Sequence, residues 1–170
     1  EYPSQVHEMW VLTRPVLDRF ALHYKTKQPM PQALLDKVVA SSKFNTGYST
    51  VEYLSAAIVD MELHTLPSGV VDADAFERDT LSRIGAPKEV AMRHRLPQFN
   101  HLFSSDGYSA GYYSYLWSET MDADTWAAFT DKGDVWDKET AERFRSMLLS
   151  TGNESDRIEA YRAFRGRDPD

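Results

Sequence analysis

Cysteine is absent from the 170 residues, which excludes disulfides and thiolate-bound metal. No apolar run approaches the roughly 20 residues that a membrane-spanning helix needs. The opening EYPSQVHEMW lacks the basic start and apolar core of a signal peptide. Charge is mildly acidic, with 26 acids against 19 Lys and Arg, and the basic residues form no stripe of the kind that grips a phosphate backbone. Neither nucleic acid nor membrane is therefore expected as a partner. A chain without cysteine fits a reducing compartment, and a cytoplasmic location is expected. The first residue is Glu1 rather than Met, which suggests a processed or excised piece.

Other absences concern chemistry. The five histidines, His7, His23, His64, His94 and His101, include no pair four apart, so no H-E-x-x-H helix can be written. A catalytic zinc normally takes three protein ligands and keeps one position for water, so a self-contained zinc site is not expected. There is no G-x-S-x-G turn, no nucleophilic cysteine and no glycine-rich phosphate loop. Strand patterns are nearly missing, and the run Gly69-Val70-Val71 is too short to count as one.

What is present is helical periodicity around an ordinary globular composition, 42% hydrophobic and 26% charged. Ser4 is a candidate N-cap for a helix carrying Val6, Met9 and Trp10. Arg14-Pro15 should break or restart that helix, because proline lacks the amide donor. A second piece over 16–24 is expected to bury Val16, Leu17 and Phe20. Pro31 suits a first helical turn, with Leu34, Leu35, Val38 and Val39 as one apolar stripe behind it. Ser49-Thr50-Val51-Glu52 reads as a capping box ahead of Val51, Leu54, Ile58 and Met61. Asp72 or Asp74 can cap a helix ending near Ile84, and 86–105 should be irregular. A long helix is expected from about Tyr108 into the 120s. Asp137 should cap another that stops at Gly152, and a last helix should cover 155–165 before Gly166. The expected fold is all-α, a multi-helix unit over residues 1–170 without a visible linker.

One segment is unusual: DGYSAGYYSYLWSE, from Asp106 to Glu119. If it is helical throughout, Tyr108, Tyr112 and Tyr115 stand at i, i+4 and i+7 and share one narrow face. Aromatic rows at helical spacing commonly pack in cores. Tyrosine differs, because a buried phenol must find a partner for its hydroxyl. A row of phenols therefore also suits a polar cleft, where it can donate to a peptide or to a developing oxyanion. Glu1, Glu8, Arg165, Arg167 and Asp168 read, on residues alone, as solvated charges.

Three segments carry a resemblance to a known family: EYPSQVHEMW at the start, FNHLFSSDGYSAGYYSYLWSE in the middle and AFRGRDPD at the end. In order and spacing they resemble the zinc oligopeptidases that include thimet oligopeptidase, neurolysin, oligopeptidase A and peptidyl-dipeptidase. The resemblance implies the C-terminal part of a zincin-type catalytic domain acting on short peptides. It implies Glu1 as the third zinc ligand, with two histidines on an upstream H-E-x-x-H helix outside this sequence. Glu8 would orient ligands from behind. His101, Tyr108, Tyr112 and Tyr115 would contact substrate, and Tyr108 or Tyr115 would stabilise the oxyanion. Zinc would belong to the complete enzyme rather than to this chain alone, and the upstream part of the domain would be the structural partner. The alternative is a non-catalytic helical interaction or regulatory domain on a peptidase-like scaffold.

Overall fold

The structure is a computed structural model that describes residues 1–69 and 71–170; Val70, within the short β-branched run, lies outside the described residues. Among those residues the chain is helical, with an isolated Leu22–Pro29 bridge in place of any sheet, as the periodicity predicts. No described helix is long and apolar enough to cross a membrane.

The helices are α1 (Tyr2–Glu8), α2 (Arg14–Phe20), α3 (Gln32–Ser41), α4 (Thr46–His64), α5 (Ala73–Arg83), α6 (Asn100–Phe103), α7 (Ser114–Thr130), α8 (Lys138–Phe144) and α9 (Arg157–Arg165). They fall into two compact units, Glu1–Leu35 with Tyr115–Asp170, and Asp36–Ser114. The sequence shows no linker for a physical reason. One crossing lies inside α3 and the other at the first turn of α7, so helical periodicity runs through both.

In the first unit α1, α7, α8 and α9 share a core of Val6, Phe129, Phe144, Leu148, Ala160, Tyr161 and Phe164. Trp10, in the 3-10 turn that follows α1, packs edge-on against Trp126 and Phe129 of α7 at 4.8 and 5.0 Å, and its indole N–H donates to the Val135 carbonyl at 2.8 Å. Asp156 caps α9 through the amides of Ile158 and Glu159, and Gly166 ends it at φ +80, a left-handed value suited to glycine.

The second unit packs α4, α5, α6 and the segment between α5 and α7 around Ala56, Ala57, Val59, Met92, Leu96, Phe99 and Leu102. Glu77 of α5, almost fully buried, accepts the Leu96 amide at 2.9 Å and pairs with Arg95 at 2.5 Å. This holds the otherwise irregular stretch after α5 in place.

Several boundaries move. α1 begins at Tyr2, so Ser4 lies inside it and its hydroxyl turns back to the carbonyl and carboxylate of Glu1. The expected capping box at Ser49 is also internal. α4 starts at Thr46, and Ser49 and Thr50 bond back to carbonyls one turn earlier. Of the α3 stripe only Leu35 is buried, while Leu34, Val38 and Val39 stay exposed, as does Phe20. Periodicity reports which residues share a face, not what covers it.

The largest change concerns the tyrosines. α7 starts at Ser114, six residues later than expected, with a short 3-10 turn over Asp106–Tyr108 and turns between. Tyr108 and Tyr112 therefore precede the helix that carries Tyr115, and the single-face row of three phenols is not formed. Ala110 explains the break: its φ of +54 is left-handed and cannot continue a right-handed helix.

Candidate active site

The loop between α6 and α7 folds as it does because α4 holds its backbone. Asp60 of α4 accepts the amide of Ala110 at 3.0 Å on one carboxylate oxygen and that of Tyr112 at 2.9 Å on the other. Tyr53, two turns earlier on α4, donates its hydroxyl to the Tyr112 carbonyl at 2.5 Å. These bonds maintain the left-handed Ala110, which costs a non-glycine residue about 1–2 kcal/mol. Gly111 stands at a close approach. A Cβ there would stand 3.3 Å from the Tyr108 carbonyl oxygen, to which the Gly111 amide donates at 2.9 Å.

Within this unit the loop brings together three of the residues singled out by sequence. The His101 ring lies 4.3 Å from that of Tyr108 and 5.4 Å, edge-on, from that of Tyr112. Tyr112 is only 5% exposed and is sandwiched by Tyr53 at 5.3 Å and Phe99 at 5.0 Å. Burial pushes its phenol above the usual value, with the Glu52 charge adding and the Arg93 charge opposing. Tyr112 is thus the floor of the cluster, while His101 is exposed and Tyr108 half-buried.

The other singled-out residues belong to the first unit. Glu1 is exposed at the N-terminal end of α1, its carboxylate accepting from the Ser4 hydroxyl. Glu8 is exposed at the other end of the same helix. Tyr115 sits half-buried in the first turn of α7, and its carbonyl accepts from the Gln5 amide side chain at 3.4 Å. The Tyr2 hydroxyl meets the Thr125 hydroxyl at 2.6 Å, so α1 is tied to α7 at more than one level. Burial drives the Tyr2 phenol up to about 12, helped by the Asp122 and Asp124 charges, so it stays a neutral partner. No group of three or more potential metal ligands occurs among the described residues.

Sequence reading missed four buried acids, of which Glu77 has been described above. Asp60 and Asp124 carry the networks around the loop and around α9, and Asp122 is 3% exposed with Oδ1 unpartnered. The signal available for Asp60 is His64 one turn later, whose Nδ1 lies 2.8 Å from its carboxylate. For Asp124 nothing local exists, since Arg165 and Arg167 arrive from α9 and the residues after it.

Asp122 yields a pH test. Burial, then the Glu119 charge, then that of Glu8, lift its carboxyl to about 6, against an opposing backbone bond at Ala123. A raised acid is bound to its proton more tightly when folded, so stability falls as pH rises from about 4 to about 6 and stays lower above. Asp122→Asn, which cannot ionise, should raise Tm at pH 8 and leave it nearly unchanged at pH 4. An equal Tm difference at both pH values would contradict the assignment.

Comparison with known proteins defines the class as peptidase: the family model described as Peptidase family M3 matches residues 1–170, and the chain belongs to that family. The resemblance read from three segments therefore holds over the whole chain. It is 38% identical over 173 residues to "Dipeptidyl carboxypeptidase" of Escherichia coli (strain K12), covering 99% of this chain and 25% of that protein. It is 35% identical over 174 residues to "Probable cytosolic oligopeptidase A" of Arabidopsis thaliana, with 99% and 25% covered. To "Oligopeptidase A" of Escherichia coli (strain K12) it is 33% identical over 172 residues, again with 99% and 25% covered. The chain spans about a quarter of the length of the curated relatives it matches.

Proposed function

We propose that residues 1–170 form the C-terminal part of the catalytic domain of a zinc-dependent, cytoplasmic oligopeptidase or peptidyl-dipeptidase that hydrolyses peptide bonds in short peptides. The observation that carries this reading is the His101, Tyr108 and Tyr112 cluster on a backbone-clamped loop. It lies in a chain that matches a peptidase family from end to end. The relatives' names, oligopeptidase and dipeptidyl carboxypeptidase, support the substrate class.

In this reading Glu1 contributes one ligand to zinc, and the Ser4 hydroxyl holds the carboxylate in a fixed orientation. The two remaining ligands and the general base come from an H-E-x-x-H helix in the upstream part of the domain. Zinc, when bound, acidifies a coordinated water and polarises the scissile carbonyl. Glu8 acts from behind as an orienting acid. His101 and Tyr108 offer polar hydrogen-bonding groups to the peptide. Tyr112 lines the site as the ring that backs both, and Tyr108 or Tyr115 supplies a neutral donor where negative charge grows.

A second reading, a non-catalytic helical interaction domain, draws support from the burial of Tyr112, which behaves there as a packing residue. Metal analysis and peptide cleavage separate the two. The full-length protein should hold one zinc equivalent, lose activity on chelation and regain it with zinc, while cleaving short peptides. Absence of both bound zinc and cleavage would defeat the peptidase reading.

A further inference from the structure

Asp60 is 0% exposed, and no part of the proposed chemistry uses it. A buried carboxylate is costly unless paired and hydrogen-bonded, so its partners indicate what it is for. They are the amides of Ala110 and Tyr112, either side of Gly111, and the imidazole of His64. The rest of the buried α4 face needs no carboxylate, since Ala56, Ala57 and Val59 fill it. Tyr53 stands seven residues before Asp60, hence on the same face, and its hydroxyl grips the carbonyl of the same Tyr112.

The gripped turn stands directly between two aromatic side chains of the cluster. On one side it continues into the Tyr112 ring. On the other, the Gly111 amide is bonded to the Tyr108 carbonyl at 2.9 Å. Displacing the 110–112 backbone therefore displaces Tyr108, and with it the ring facing His101 at 4.3 Å.

We infer that Asp60 is a positioning residue: its carboxylate, seated on α4 beside His64, fixes the 110–112 turn and thereby the orientation of Tyr108 toward substrate. The inference rests on the proposed substrate-side role of the loop, and the test keeps the two apart.

The test is a double-mutant cycle in the full-length protein, with Asp60→Asn, Tyr108→Phe and the pair assayed on a short peptide. The Asn side chain keeps one acceptor but turns an NH2 toward one of the two main-chain amides. Asp60→Asn should lower kcat/KM by about tenfold or more, through the same parameter, kcat or KM, that Tyr108→Phe moves. In the Tyr108→Phe background it should cost less than about threefold. Losses that multiply fully overturn the inference, because lowering the folded fraction alone does not depend on Tyr108. A Tyr108→Phe variant with unchanged kinetics sinks the substrate-side reading of the loop instead. If Asp60→Asn does not fold, Tyr53→Phe replaces it. A loss of about threefold that disappears with Tyr108→Phe supports the clamp, and a multiplicative loss overturns it.

Discussion

Tyr115→Phe in the full-length protein is expected to lower kcat on a short peptide by roughly 10²- to 10³-fold with KM nearly unchanged, the loss typical of removing one oxyanion donor. Peptide hydrolysis passes through a tetrahedral intermediate whose oxygen carries charge that the bound substrate lacks. A donor aimed at that oxygen strengthens only as the charge grows, so its removal appears in kcat rather than in KM. Phenylalanine keeps the ring and its packing and deletes only the hydroxyl. Tyr108→Phe, made in parallel, divides the labour. The residue whose loss is confined to kcat serves the oxyanion, and the one whose loss raises KM serves substrate binding. Unchanged kcat in Tyr115→Phe removes that residue from the mechanism. The two positions are not equivalent locally: Tyr115 rides the first turn of a 17-residue helix, whereas Tyr108 depends on a turn held by another element.

Asp124→Asn is expected to destabilise the protein by about 3–5 kcal/mol, the range for removing one partner of a buried ion pair. Asp124 is 4% exposed on α7 and accepts from three side chains: the Tyr161 hydroxyl at 2.5 Å, Arg165 at 2.9 Å and Arg167 at 2.5 Å. Neutralising it leaves Arg165, only 12% exposed, with the Asp131 carboxylate at 4.0 Å as its one remaining charge partner, and Tyr161 in the core without a full acceptor. Burial opposes ionisation of Asp124, and bonds from Arg165 and Tyr161 with the Arg165 and Arg167 charges outweigh it, so its carboxyl ionises below the usual range. A lowered acid contributes stability that is fully present above its unfolded value of about 3.8 and lost as pH falls through the folded value. The variant should therefore lose most stability at neutral pH, and the gap to wild type should narrow below about pH 4. Urea unfolding at pH 7 and pH 3 reads both effects; a gap that stays constant would remove the charge network as the cause.

These networks show where sequence reading succeeds and where it stops. Helix identity was legible because it is local. Pro15 restarts α2, Asp72 caps α5, Asp137 caps α8, and Gly166 ends α9. Spacing places Ile158, Tyr161 and Phe164 on one face of α9, and the fold buries Tyr161 and Phe164 while Ile158 stays half-buried. Legibility failed where local preference was overruled at a distance. Ala110 would ordinarily extend a helix, and Asp60, 50 residues earlier, holds it in the left-handed form that ends the loop at Ser114. Arg165 and Arg167 resembled solvated charges because their partner stands 41 and 43 residues away.

The sequence by itself determined an all-α chain of a peptidase family, the identity of its polar residues and some helix ends, since these rest on contacts within a turn or two. Tertiary structure decided that His101, Tyr108 and Tyr112 form a cluster rather than a helical row, and that Asp60, Asp122 and Asp124 are interior. Burial and main-chain capture depend on which distant elements meet, and a charged residue carries no mark of its future partner until the chain has folded around it.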